Sequence, residues 1–131
     1  MDSSSILLRQ VHPTFVQADI ISTQVFSITS QVFKPTPKDE GFLSMYNDEK
    51  FTPEESHSHF TSENGKSSFG VVGVSGIECE NQQLKWAEDN DPFDGHSHID
   101  FNGLTKGEIE KKAKFLKSVA MKRGWLYKRS G

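Results

Sequence analysis

The sequence predicts a single α+β domain, a mixed or antiparallel sheet of about five strands with a long C-terminal helix packed across it. Three observations lead there. Short β-forming runs are interrupted by helix signals, without the regular strand–helix alternation of a parallel sheet. A capped segment over 105–123 carries one apolar stripe at helical spacing. The 131 residues include ten Phe and two Trp, enough to bury one core without disulfides or metal although only 34% of the chain is hydrophobic. The whole span 1–131 is read as this one domain, with residues 1–5 as a flexible start.

The elements follow in order. Ile6 to Val11 reads as a first strand, ended by Pro13. Ile20 to Phe33 is rich in β-formers and holds a short echo, Ser22-Thr-Gln-Val-Phe26 against Thr29-Ser-Gln-Val-Phe33. An odd offset puts equivalent side chains on opposite faces of a straight strand, so two strands or a bulged strand are expected. Lys34 to Gly41, with two prolines, is a loop, and Phe42 to Tyr46 is a strand. Thr52-Pro53-Glu54-Glu55 opens a helix running to about Glu63, because Thr caps, Pro suits the first turn and acids suit its positive end.

Phe69 to Val74 is the most core-like strand, and its glycines imply close approach by another backbone. Ser75 to Leu84 is read as a short helix, Ala87 to Gly95 as an acidic loop and His98 to Phe101 as a last strand. Thr105-Lys-Gly-Glu108 is a capping box opening the longest helix, which Gly124 stops near Arg123. Trp125-Leu126-Tyr127 then folds back. The expected core is Leu7, Val11, Phe26, Phe33, Leu43, Val71, Val72, Val74, Ile99, Ile109, Leu116, Ala120 and Trp125.

One cysteine, Cys79, excludes an internal disulfide, and its flanking acids make it a poor nucleophile. The start of the chain lacks a signal-peptide pattern and no run is long enough for a membrane span, so the expected address is the cytoplasm, with no membrane partner. The net charge of −3 is unevenly spread. Residues 106–131 hold nine Lys/Arg against two Glu, a net of +7, leaving −10 for the rest. Lys111, Lys114, Lys117, Lys122 and Arg123 on the last helix are therefore candidate partner-binding residues, for a protein first and with nucleic acid left open.

Two His-Ser-His pairs occur, His57/His59 and His96/His98. Residues two apart share a face on a strand, so His96 and His98 are candidate ligands for one zinc ion. On a helix, two apart are not neighbours, which weakens the first pair.

Three resemblances carry site residues. His12-Pro-Thr14 and His59-Phe-Thr61 resemble the paired elements of two-histidine phosphoesterases, whose histidines act as general acid and base. Arg9 in a first strand, Ser44 in a later one, a helix and then Glu78 or Asp100 loosely resemble the order found in ADP-ribosyltransferase-like domains. That resemblance implies an NAD site in which Arg9 holds phosphates, Ser44 braces the nicotinamide side and Glu78 stabilises developing positive charge, with His12 nearby. The runs His12-Pro-Thr-Phe15, Ser30-Gln-Val-Phe-Lys-Pro-Thr36, Lys38-Asp39 and Leu43-Ser44 resemble a family of small uncharacterised bacterial proteins, which implies a bacterial source and carries no established activity over to this chain.

The sequence favours a non-catalytic accessory module that binds a macromolecular partner through its basic helix. An NAD-using enzyme or toxin built on Arg9, His12, Ser44 and Glu78, and a zinc-binding domain built on His96 and His98, are the competing expectations. Neither NAD nor zinc is favoured as a cofactor.

Overall fold

The structure is a computed structural model that describes residues 3–13, 16–18, 26–28, 30–35 and 40–128, with backbone alone for 16–18 and 26–28. Strand β1 (Ile6–Val11) is followed by a two-stranded ribbon of β2 (Val16–Ala18) and β3 (Phe26–Ile28) and a 3-10 turn at Ser30–Phe33. Then come β4 (Phe42–Asn47), α1 (Pro53–Ser58) with a π-helical continuation His59–Glu63, β5 (Gly70–Ser75) and α2 (Gly76–Asn81). The chain ends with β6 (Lys85–Glu88), β7 (His96–Asp100), α3 (Lys106–Arg123) and β8 (Tyr127–Lys128). Six strands form one sheet in the order β6-β7-β4-β1-β5-β8, antiparallel throughout. The fold class is the expected one: a single α+β domain with the C-terminal helix across the sheet.

The helices begin where local chemistry puts them. Thr52, Ser75 and Thr105 each accept from the backbone N–H three residues on, while Glu55, Glu78 and Glu108 reach back to the cap's own N–H. Gly124 ends α3 at φ +85°, a conformation open to glycine.

Alternation along the strands divides the sheet into two faces. Leu7, Val11, Leu43, Met45, Val72, Val74 and Ile99 pack with Ala113, Leu116 and Ala120 of α3, Cys79 of α2, and Val32 and Phe33. Leu8, Tyr46 and Val71 face the other way, with Phe51, Phe60, Phe93, Leu126 and Tyr127 around them. Strand β5 is buried along its whole length. A Cβ on Gly70 would lie 2.5 Å from the Tyr127 carbonyl oxygen, so glycine there lets β8 close onto the sheet, the close approach its sequence implied.

Several expectations are corrected. Within the second copy of the echo, Ser30–Phe33 is a 3-10 turn rather than a strand, because Val32 and Phe33 both turn into the core. The first copy lies mostly outside the described residues, as does the expected core side chain of Phe26. Lys85–Glu88, read partly as loop, is an edge strand paired to β7. Val71 is buried as expected, though in the second cluster, while Ile109 and Trp125 are only partly buried against the first. Within the expected flexible start, Ser3 bonds Glu80 and Ser5 bonds Glu49. Among the described residues, no helix is long and apolar enough to cross a membrane.

Candidate functional site

A cavity of about 290 Å³ lies on the α1 side of the sheet. Its position follows from the pairing of β1. That strand is registered with β5 along all six residues but with β4 only at Leu7↔Asn47 and Leu8↔Tyr46. Beyond that point Arg9 ties the strands: its Nε donates to the Val32 carbonyl at 2.8 Å and its Nη1 to the Ser44 carbonyl at 2.8 Å. Arg9, Gln10 and His12 of β1 and its end, and Ser44, Met45 and Tyr46 of β4, line the cavity. Phe60, Asn64, Lys66 and Ser67 after α1 form one rim, and Pro92, Phe93 and His96 the other.

Arg9, His12 and Ser44, distant in sequence, thus converge on one cavity. Glu78 does not. It caps α2 and takes a two-pronged ion pair from Arg123, at 2.9 and 3.1 Å. Burial raises the Glu78 carboxyl, but the bonds from Arg123 and Ser75 outweigh it and leave it below the usual carboxylate range. Asp100 accepts the Asn102 N–H at the end of β7.

The cavity wall is held by aromatic and polar contacts that the sequence did not single out. The Tyr46 hydroxyl lies 2.8 Å from His59 Nδ1, and Asn64 Nδ2 lies 3.2 Å from the same nitrogen while donating to the His59 carbonyl. Burial, then the charge of Glu63, pushes the Tyr46 phenol above its ordinary pKa, so it stays un-ionised at neutral pH. Phe93 sits between His59, 4.4 Å between ring centroids, and His96, 5.2 Å. Behind the floor, Ser68 donates to Gln10 Oε1 and Gln10 Nε2 to Ser56, so the Gln10 amide is fixed.

His96 and His98 do share a face of β7, as strand spacing predicted. Both Nδ1 atoms, however, reach one carboxylate: His96 to Asp89 Oδ1 at 2.5 Å and His98 to Asp89 Oδ2 at 2.7 Å. Burial raises the Asp89 carboxyl, and the bonds from His98 and His96 more than offset it, so its pKa is lowered. One carboxylate thus holds both imidazoles through Nδ1, and no group of three or more His, Cys, Asp or Glu suited to a metal occurs among the described residues. His57 and His59 diverge, as helical spacing requires. His57 Nε2 meets the Ser68 carbonyl, and Thr61 spends its hydroxyl on the His57 carbonyl. Of the phosphoesterase-like elements, His12 lines the cavity and Thr14 lies outside the described residues.

The basic helix is only partly available. Arg123, expected to bind a partner, is held by Glu78 and the Gly73 carbonyl. Lys111, Lys114, Lys117 and Lys122 make no close ion pair among the described residues, and the last three flank Ser30, Ser118 and Met121 in a shallow groove. Asp89 of the acidic loop lies on the sheet face opposite α3. Cys79 is buried, and burial, with Glu78 and Glu80 adding to it, pushes its thiol up to about 12, in keeping with a structural role. No protein-family model matches this chain, and neither does any curated protein or solved structure.

Proposed function

We propose that this protein binds a small anionic ligand with a flat apolar part in the cavity between β1, β4 and the segment after α1. The observation that carries the reading is the lining. Arg9 and Lys66 bring fixed positive charge and His12 and His96 add two imidazoles, while no Asp or Glu lines the cavity among the described residues. In a chain of net charge −3, that local excess favours an anion. Met45, Tyr46, Phe60, Pro92 and Phe93 supply the apolar body that small-ligand sites require. An NAD-using transferase receives less support, because the acid it needs is absent from this lining and Glu78 is engaged elsewhere.

Ligand binding to the folded state raises the unfolding midpoint, by about 2.7 kcal/mol of stability at a hundredfold excess over Kd. Millimolar pyrophosphate is therefore expected to raise the midpoint above that in sodium chloride of equal ionic strength. Equal midpoints in the two would overturn the reading.

A second reading, the one favoured from sequence, is a macromolecular partner on α3. Its support is the groove flanked by Lys114, Lys117 and Lys122. Tagged protein purified from its native cells at low salt should then bring down a stoichiometric partner, and Lys114→Glu/Lys117→Glu/Lys122→Glu should lose it. Retention of the same partner by the triple variant would sink this reading.

A further inference from the structure

Two shallow depressions of opposite charge lie on opposite faces of the sheet. On α3, Lys117, Ser118, Met121 and Lys122 follow Lys114 by three, four, seven and eight residues, so helical geometry puts them on one side, and with Ser30 they line a groove. Glu110, one turn before Lys114, is taken by Lys34 at 3.0 Å. Lys114, Lys117 and Lys122 are left without a close ion pair among the described residues. The other depression is lined by Lys50, Phe51, Glu54, Glu55, Ser58 and Glu63. Lys50 pairs with Asp94 at 3.6 Å, and Glu55 accepts from the Thr52 N–H to close the capping box of α1. Glu54 and Glu63 are exposed and have no close ion pair among the described residues. The helix α3 packs on the face that holds Leu7 and Val74, whereas Phe51 and Phe60 pack on the face that holds Leu8 and Tyr46.

From these two surfaces we infer that the partner of α3 is a second copy of this chain, whose glutamate hollow seats on the lysine groove; the inference rests on the reading of α3 as a binding face. Charge complementarity selects this occupant. The groove presents three Lys around Met121, and the hollow presents three Glu beside Phe51. Nucleic acid fits less well, because no aromatic side chain lines the groove to stack a base and the rest of the chain, at −10, repels a polyanion. The two depressions lie on opposite faces, so one pair of copies cannot make both contacts at once. Each contact leaves a free groove at one end and a free hollow at the other, which makes the association heterologous and lets it grow past a dimer. Exposed charge pairs contribute little one by one, so the contact is weak and salt-sensitive.

Sedimentation velocity on the intact protein over a range of concentrations tests this. At about 20 mM salt the average mass should rise with concentration beyond that of a dimer, and at about 0.5 M salt association should weaken by about tenfold or more. Lys114→Glu/Lys117→Glu/Lys122→Glu and Glu54→Lys/Glu63→Lys, the latter sparing the Glu55 cap, should each be monomeric at low salt. Mixed in equal amounts, the two variants should associate again, because each reversed surface meets its opposite on the other chain. A misfolded variant cannot give that recovery, and Lys117→Glu with Glu63→Lys serve as the pair if a multiple variant fails to fold. Native protein that stays monomeric at low salt, or whose mass stops at a dimer, would overturn the inference. So would association that ignores salt, survives either charge reversal, or fails to return on mixing. If the native chain stays monomeric but captures a different protein that the triple lysine variant loses, α3 remains a binding face and this inference alone falls. If neither self-association nor any captured partner responds to the reversal on α3, both fall.

Discussion

Phe33→Ala is expected to cost about 3–5 kcal/mol of folding stability. Phe33 is fully buried at the end of the 3-10 turn, within the cluster that joins the sheet to α3. Truncation removes the transfer energy of a whole ring and leaves a cavity that rigid neighbours on the sheet and helix cannot fill. A domain of this size has a total stability of about 5–15 kcal/mol, so the loss is a large share of it. Urea unfolding measures it directly, and Phe42→Ala is the control. Phe42 is 40% exposed, so its truncation should cost under about 1 kcal/mol. If the two variants were equally mild, the placement of Ser30–Phe33 under α3 would be wrong.

Arg9→Ala is expected to produce two losses together. The guanidinium closes the region where β1 and β4 cease to register, through bonds to the Val32 and Ser44 carbonyls. A hydrogen bond from a charged group contributes about 1.5–3 kcal/mol, and partial exposure moves the expected total to about 2 kcal/mol. The second loss is of binding. Removing the cation should weaken pyrophosphate affinity by about tenfold to a hundredfold. Arg9→Lys separates the two effects, because lysine keeps the charge but not the planar fork. It should retain part of the binding while losing most of the stability. If Arg9→Ala were destabilised yet protected by pyrophosphate as strongly as the native protein, Arg9 would be a strand clip and not a site residue.

What was legible in the sequence was local. The capping boxes of α1 and α3 involve residues three apart, so Thr52 and Thr105 announced their helices before any tertiary contact was known. The apolar stripe of α3 and the common face of His96 and His98 follow from the periods of helix and strand. So does the divergence of His57 and His59. The placement of Gly70 against another backbone was likewise implied by a glycine inside an apolar strand.

What only the tertiary structure decided depends on contacts between distant residues. The Ser-Gln-Val-Phe33 segment has β-forming composition, but burial of Val32 and Phe33 under α3 outweighs that weak preference and winds it into a turn. Glu78 reads as a free acid until the fold sets it against Arg123, 45 residues on. Asp89 reads as one acid in a polar loop until β6 and β7 pair and present two imidazoles to it. Arg9, His12 and Ser44 could be singled out individually, yet their meeting required the register of β1 to end against β4 and not against β5. Local bonding sets which segments become helices and strands. The site is set by strand order and register, which emerge from summed apolar burial across the whole sheet and are written in no single segment.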